Sequence, residues 1–291
     1  MAYQLEKNIR DNPKKRKSFD DLAQMTFGIS FEKWNDNGYW TERYRPYTLF
    51  DGDKAVSNVS VNRMATRYRG KPRSYIQLGT VMTHPDYRGK DLARRLMEAV
   101  MEDWLPKSDG MYLFANESAM EFYPKFGFAP APQFRCVIAA NQETRAEEAR
   151  PLNMACPADR AVLKRCYEKG NPYSELPLLD NYGLLMFYCA QFYRDSVYYL
   201  PGRDTAIILS SGDGAASCLD VYGAGGGELG CLLKGAFPGM GDEFPLGFTP
   251  VNQGNCRLER LAGEEDDLMV YSAGENLFSK SKLLFPALSH A

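Results

Sequence analysis

The chain has 291 residues, of which 44% are hydrophobic and 25% charged. This balance is typical of globular proteins and excludes a wholly disordered chain. At roughly 150 residues per domain, the length predicts two domains. The sequence lacks the run of about 18 apolar residues that a membrane-spanning helix needs, and its polar start predicts no secretory signal. A formal net charge of −2 argues against a general nucleic-acid binder.

Charge is divided unevenly along the chain. Residues 1–150 contain 24 Lys and Arg against 20 Asp and Glu, whereas the remaining residues contain 11 against 17. The first half is therefore better suited to an anionic ligand. The acidic excess of the second half would suit a cationic amine.

Cysteine and histidine spacing argues against a metal site. The seven cysteines form no zinc-ligand pattern, and the two histidines, His84 and His290, stand far apart. We expect reduced, mostly buried thiols in a cytoplasmic protein, and we interpret Cys136 as such a thiol.

The first half predicts alternating helices and strands. A helix begins at Ser18, an N-cap residue type that two acidic residues follow. A short helix over 30–38, a hairpin of strands 47–50 and 55–64 around the turn 51–53, and a strand over 74–83 come next. A helix from Lys90 places one apolar face at Leu92, Leu96, Ala99, Val100 and Trp104. The last elements of this half are a strand over 111–115, a helix over Asn116–Lys125 and a strand over 134–140.

The second half begins after a polar stretch, residues 141–150, which is the best candidate for a linker. Its pattern predicts helices over 157–169, 182–192 and 228–235, and strands over 196–200, 205–210, 216–222 and 244–248. The glycine run 223–227 lacks Lys and Arg, so a turn is favoured over a second phosphate loop. The apolar segment 277–291 is expected to dock on the protein.

The most informative unit is a strand, a basic loop and an amphipathic helix. A loop that opens a helix directly after a strand directs several unpaired backbone N–H groups at one point, where the helix dipole adds positive charge. Arg88 and Lys90 contribute side-chain charge, and Gly89 allows close backbone approach. This arrangement is a pyrophosphate site in physical terms.

At these residues the sequence resembles the GCN5-related N-acetyltransferase (GNAT) superfamily. The resemblance rests on two segments, VMTHPDYRGKDLA (81–93) and NESAMEFYPKFGF (116–128), and it covers about residues 18–140. The family's loop pattern is Arg/Gln-x-x-Gly-x-Gly/Ala. Arg88 and Ala93 match it, whereas Asp91 replaces the central glycine and places a carboxylate beside the anionic ligand.

The resemblance implies an α+β GNAT fold, with a mostly antiparallel twisted sheet flanked by helices. It implies a catalytic domain over 1–145 and a smaller, degenerate GNAT-like or other α+β domain over 146–291 that shapes the acceptor cleft. The implied reaction moves an acetyl group from acetyl-CoA, with no metal, to an amine of a small molecule or peptide. The oligomeric state stays open.

The resemblance also assigns residues to the acetyl-CoA site. The pantetheine arm would pair with Val81, Met82 and Thr83, and Asn116 would contact it near the thioester. The pyrophosphate would lie on the backbone of Arg88, Gly89, Lys90, Asp91, Leu92 and Ala93. Tyr123 would be the general acid beside the sulfur, and the seven-residue spacing from Asn116 would put both on one helical face. Core packing beside Phe122 and Phe126 is the alternative for Tyr123.

Several questions stay open at this level. The strand 74–83 contains no Asp or Glu to act as base. His84 is the nearest candidate, but it lies toward the pyrophosphate, and a water relay is the default. Glu117 and Glu121 are expected to be solvated. The aromatic residues Trp34, Tyr39, Trp40, Tyr44 and Tyr47 either line an acceptor pocket or pack a core edge, and core packing is favoured.

Two other functions compete with acetyl transfer. One is a non-catalytic CoA-binding, ligand-sensing or interaction module on the same fold, which Asp91 and the missing carboxylate base favour. The other is a nucleotide-binding kinase, but the sequence has no GxxxxGK[ST] motif.

Overall fold

The computed structural model describes residues 3–140, 146–211, 216–261, 267–272 and 274–290, and helices are interspersed with groups of strands along them. The helices are α1 (Pro13–Phe27), α2 (Glu32–Asp36), α3 (Leu92–Trp104), α4 (Pro157–Glu168), α5 (Tyr182–Gln191), α6 (Leu229–Ala236) and α7 (Leu277–Lys280). The strands of the first half are β1 (Gln4–Glu6), β2 (Tyr44–Asp51), β3 (Lys54–Tyr68), β4 (Lys71–Thr83), β5 (Gly110–Ala115), β6 (Ala129–Pro130) and β7 (Gln133–Ala139). The later strands are β8 (Arg150–Pro151), β9 (Leu178–Leu179), β10 (Val197–Leu200), β11 (Thr205–Ser211), β12 (Ala216–Gly223), β13 (Glu243–Pro245), β14 (Cys256–Leu261) and β15 (Asp267–Tyr271).

The largest sheet has the order β1-β2-β3-β4-β5-β15-β6, and β9 adds to β3. Neighbouring strands are antiparallel except β4 and β5, which are parallel. Helix α3 packs its apolar face against one side of this sheet, as the spacing predicts. The other side of the sheet is covered by α1, by the aromatic residues between α1 and β2, by part of α5 and by residues from Leu277 onward. The result is the α+β GNAT-like architecture that the sequence predicts.

Two smaller sheets lie in the later part of the chain. One has the order β12-β11-β10-β8, with α4 and α5 contributing to its core. The other places β7, from the first half, between β13 and β14. Elements from both sides of residue 145 therefore share sheets. Residues 141–145, the first half of the expected linker, lie outside the described residues.

Three local predictions are wrong. The first helix begins at Pro13, because the Asn12 side chain accepts the Lys15 N–H and caps it. Ser18 instead accepts the Ala55 N–H at 2.8 Å. Lys14 to Lys17 therefore lie inside this helix rather than before it.

The helix expected over Asn116–Lys125 is replaced by two 3₁₀ turns, Glu117–Ala119 and Tyr123–Phe126. Pro124 has no N–H to donate to a carbonyl one turn earlier, so it interrupts an α-helical ladder here. Gly127, with φ of +86°, ends the second turn.

Cys136 is not a free thiol but forms a disulfide with Cys256. Their strands, β7 and β14, are antiparallel neighbours, which brings the two Cα atoms to 5.4 Å. The two cysteines are 120 positions apart in the sequence, so spacing gave no sign of the pair.

The apolar chain end docks as predicted. Leu283, Leu284, Phe285 and Leu288 are buried, and the Phe285 ring stacks on that of Tyr112 with centroids 3.9 Å apart. Across the described ranges, no helix has both the length and the apolar character for crossing a bilayer. In the same ranges, His, Cys, Asp and Glu form no group of three suited to a metal ion.

Candidate functional site

A bulge in β4 is the first feature of the site. Asn58 pairs with Met82 and Ser60 with Gly79, so β4 contains one more residue than β3 here. Thr80 lies in this bulge with a left-handed φ of +48°, which is uncommon for a β-branched residue. The bulge turns the following part of β4 away from regular pairing.

Buried polar side chains of β2 and β3 hold the bulge in place. Asn58 Nδ2 donates to the Thr80 carbonyl at 2.9 Å, and Thr48 Oγ1 donates to Asn58 Oδ1 at 2.7 Å. The Tyr44 hydroxyl and Thr80 Oγ1 share a hydrogen bond of 2.8 Å. Burial raises the pKa of Tyr44, so its phenol stays protonated. This buried network makes the strained bulge a fixed feature of the fold.

The second feature is a separation of two parallel strands. Strands β4 and β5 pair from Tyr75 with Gly110 to Gln77 with Tyr112, and the ladder then stops. A cleft of about 810 Å³ opens beyond this point, between residues 78–83 on one side and Phe114 on the other. Its size is within the range of ligand pockets, about 300–1,000 Å³.

The cleft collects many of the predicted site residues. Its lining includes Val81, Met82, Thr83, Arg88, Ala93, Asn116 and Tyr123. Asn116 and Tyr123 both line the cleft although they do not share a helix, since Asn116 precedes the first of two 3₁₀ turns and Tyr123 begins the second. Tyr123 is also buried in the core beside Phe128, with ring centroids 6.2 Å apart. Tyr123 therefore packs in the core and lines the cleft at the same time.

The remaining predicted residues lie in the loop before α3 and at the first residue of that helix, and they do not line the cleft. Gly89 and Asp91 both have left-handed φ, of +74° and +55°. Lys90 Nζ donates to the Asp86 carbonyl at 3.0 Å and lies 4.5 Å from the Tyr87 ring centroid, so its charge is held against the turn. Leu92 is buried in the core under α3.

At the start of α3, the backbone N–H groups are better placed to bind an anion than the side chains of Lys90 and Asp91. Asp91 is the N-cap residue, but its carboxylate makes no capping hydrogen bond. The first backbone N–H groups of the helix have no intrahelical partners. Arg88, which is exposed, adds positive charge where this end meets the cleft.

A smaller apolar cavity adjoins the cleft. It has a volume of about 130 Å³, and its lining is Phe27, Ile29, Phe31, Trp34, Tyr44, Thr80, Leu184 and Phe187. Four of these residues, Phe27, Ile29, Thr80 and Phe187, line the cleft as well. The cavity is therefore a side chamber of the cleft that opens beside the β4 bulge.

Comparison with known proteins identifies the part of the chain that supplies most of the cleft lining. Residues 13–131 match the family model of the acetyltransferase (GNAT) domain. This part of the chain is a GNAT domain. None of the curated protein sequences matches the chain.

Solved structures of the same fold extend over most of the chain. The structure is similar to a conserved Enterococcus faecalis protein described as a probable N-acyltransferase, with a TM-score of 0.62 and 13% identity, covering 94% of this chain and 72% of that one. It is also similar to a GCN5-related N-acetyltransferase from Kribbella flavida, with a TM-score of 0.57 and 12% identity over 92% and 70%. Eis1 from Mycobacterium abscessus gives 0.57 and 14% over 93% and 73%. At these low identities, the TM-scores and coverages show a shared fold, and this fold continues beyond the GNAT domain.

Sequence reasoning missed the wall of the cleft opposite the GNAT motifs. Tyr188, Phe192 and Tyr193, at and just beyond the end of α5, line it together with His290. The His290 ring stacks on Phe114 with centroids 3.5 Å apart, and its carbonyl accepts the Tyr188 hydroxyl at 2.6 Å. The apolar chain end was the available signal, but nothing in its sequence indicated which surface it covers.

The titratable groups of the cleft differ from those considered in the sequence. His84 lies outside the lining residues, and its Nδ1 accepts the Asp86 N–H at 3.3 Å. Glu117 and Glu121 are exposed, as predicted. Burial lowers the pKa of His290 to about 4, so its imidazole is neutral at neutral pH.

The acidic excess of the second half is not directed at the cleft. Among the described residues, neither the cleft nor the side chamber is lined by Asp or Glu. The acidic residues that were expected to suit a cationic amine are therefore not found in the described lining of the cleft or of the side chamber.

Proposed function

We propose that this protein transfers an acetyl group from acetyl-CoA to an amine in the cleft of its GNAT domain. The proposal rests on one observation. The β4 bulge, the separation of β4 from β5 and Tyr123 all lie at the same cleft. Bound acetyl-CoA supplies the thioester. The edge of β4 at Val81 to Thr83, which β5 does not pair with, would hold the pantetheine arm, and Asn116 would contact it.

The backbone from Arg88 to Ala93 would hold the pyrophosphate. The left-handed Gly89 and Asp91 shape this loop, and the unpaired N–H groups of α3 begin directly after it. Arg88 supplies the side-chain charge at the cleft. Lys90 would act at longer range, because its ammonium is held by the turn.

Tyr123 and water would take part in the proton transfers. The amine nitrogen forms a bond to the carbonyl carbon while the carbon–sulfur bond breaks. Tyr123 would donate its hydroxyl proton to the departing thiolate, since a phenol is a weak acid that stays protonated at neutral pH. The proton that the nitrogen loses would pass through water to the solvent, because burial disfavours a charged His290 imidazole.

Residues 146–291 would form an accessory part that completes the acceptor side. The first turns of α5 line the side chamber, and its last turn and His290 line the cleft. No described lining residue from this part is basic apart from His290. We therefore place acceptor binding, rather than a second CoA site, in this part of the chain.

Ligand-dependent stability tests the binding half of the proposal. Acetyl-CoA at 100 times its Kd stabilises a native state by about 2.7 kcal/mol if it does not bind the unfolded chain. We expect a clear rise in melting temperature with acetyl-CoA or CoA, and none with adenosine alone at the same concentration. An unchanged melting temperature at saturating CoA would overturn the proposal.

Replacement of Tyr123 tests the chemistry. In Tyr123→Phe the phenol is lost while the ring still packs beside Phe128. We expect the rate of thiol release from acetyl-CoA to fall by about 10²- to 10⁴-fold, the usual share of a general acid, with the Kd for CoA nearly unchanged. Tyr193→Phe is the matched control, because Tyr193 also lines the cleft but has no proposed role in proton transfer.

The same assays separate acetyl transfer from its main competitor. Binding of CoA without thiol release for any amine would indicate a CoA-binding or ligand-sensing module. An equal rate in Tyr123→Phe and the wild type would remove Tyr123 from the mechanism but leave acetyl transfer in place.

A further inference from the structure

We infer that the acceptor is a monoamine that carries one aromatic ring, and that the ring occupies the side chamber. This inference rests on the proposed acetyl transfer and names the substrate class of the same cleft. It starts from the position of the chamber, which opens beside Thr80, the residue of the β4 bulge. A molecule with its ring in the chamber would hold its amine close to the point where the strands separate.

The chamber has the size and surface of an aromatic-ring site. Its volume is about 130 Å³, and apolar protein cavities of about 150 Å³ bind benzene. Phe31 forms one wall, stacked on Phe187 at 5.4 Å and on Tyr44 at 5.5 Å between ring centroids. The Tyr44 hydroxyl and the Trp34 Nε1 are both already hydrogen bonded, to Thr80 Oγ1 and to the Gly183 carbonyl. The walls therefore offer mainly faces and edges of rings.

The mouth of the chamber exposes apolar side chains. Phe27 is 46% exposed and lines both the chamber and the cleft. Phe192 is 53% exposed, lines the cleft and packs on Phe187 with centroids 5.6 Å apart. Large exposed apolar residues grouped at the entrance of a pocket are typical of a ligand-binding surface.

Charge argues against a polycation. No Asp or Glu belongs to the described lining of either space, and Arg88 adds a positive charge to the cleft. Each additional ammonium group of a polyamine would lose water without gaining a carboxylate partner. An apolar site also favours the neutral form of an amine, and the neutral form is the one that attacks the thioester.

Three probes test the inference on the full-length protein. Thiol release from acetyl-CoA is measured with 2-phenylethylamine, ethylamine and spermine. Burial of the ring should raise kcat/KM for 2-phenylethylamine roughly 10- to 100-fold above that for ethylamine, and spermine should be the poorest of the three. A preference for spermine, or equal values for 2-phenylethylamine and ethylamine, would overturn the inference while leaving acetyl transfer intact.

A pair of variants on α1 locates the ring. In Phe27→Ala, the preference for 2-phenylethylamine over ethylamine should fall about two- to tenfold, the usual worth of one aromatic contact. Met25→Ala is the matched control, because Met25 is 51% exposed on the same helix and lines neither space. An equal preference in the two variants would contradict the placement of the ring.

If none of the three amines is acetylated, equilibrium binding still tests whether the side chamber takes an aromatic ring. Trp34 lines the chamber and is one of three tryptophans in the chain, so its fluorescence reports on occupancy. A saturable fluorescence change with 2-phenylethylamine in the presence of CoA, and none with spermine, would support the aromatic site even if acetyl transfer fails. No change with 2-phenylethylamine would overturn it.

Discussion

Gly183 joins the packing of α5 to the geometry of the side chamber. A Cβ atom at this position would lie 2.2 Å from the carbonyl oxygen of Tyr39, and real Cβ atoms essentially never approach closer than 3.0 Å. The Trp34 Nε1 also donates to the Gly183 carbonyl at 2.6 Å. Gly183→Ala must therefore move the start of α5 away from residue 39, and with it Leu184 and Phe187 of the chamber wall.

The size of the effect follows from two opposing terms. Alanine favours a helix over glycine by about 1 kcal/mol, whereas overpacking of this kind costs about 1–3 kcal/mol or more. We expect a net loss of stability, at about 2–4 °C of melting temperature per kcal/mol. Misplacement of the acceptor by about 1 Å can lower kcat/KM by up to about 100-fold, while the Kd for CoA should change less than twofold, since that wall comes from β4 and α3.

Thermal melting and the kinetics of thiol release test this reasoning together. Gly239→Ala is the matched control, because an added Cβ meets no atom within 4 Å there and its φ is not left-handed. If Gly183→Ala melts at or above the wild-type temperature and keeps its kcat/KM for the amine, α5 does not depend on this close approach and the reasoning is refuted.

Three further variants make charge-based predictions. Asp91→Gly should lower the Kd for CoA about fivefold, since one charge pair near 4 Å in water is worth about 1 kcal/mol, and the gain should shrink in high salt; calorimetry showing no gain would contradict this. Burial raises the pKa of Asp220 to about 6, so the stability of wild type relative to Asp220→Asn should fall by about 2 kcal/mol as pH rises from 4 to 7. The lowered pKa of His290, about 4, predicts the opposite: relative to His290→Gln, wild type should lose about 3 kcal/mol as pH falls from 6.5 to 4. Urea titrations at several pH values measure both, and a flat difference would refute either.

Elements with strong local signals were predictable from the sequence. The hairpin of β2 and β3 and the amphipathic helix α3 were expected, because a turn motif and an apolar face are properties of adjacent residues. The helix over Asn116–Lys125 was wrong because Pro124 removes a donor from it. The domain boundary between residues 145 and 146 stays a prediction.

The site was predictable on one side only. The proposed cofactor side follows from two contiguous motifs, and most of the residues predicted for it line the cleft. The proposed acceptor side comes from α5 and the segment around His290, which are brought to the cleft by packing over long sequence distances. A local sign of the bulge was present in β3, where Asn58, Ser60 and Asn62 are polar yet buried. The same polar alternation is typical of an ordinary half-exposed strand, so the sequence alone predicts no bulge there.

The pairing of β5 with β15 has a consequence for how the protein is made on the ribosome. Strand β5 leaves the ribosome long before residues 267–271, which cover its free edge in the finished sheet. Until then, that edge presents unpaired N–H and C=O groups, a template for pairing with other chains. We expect nascent chains that stop before β15 to need chaperone protection and to lack a completed cleft. The proposed acetyl transfer would therefore require that synthesis has passed both β15 and His290, since His290 lines the cleft.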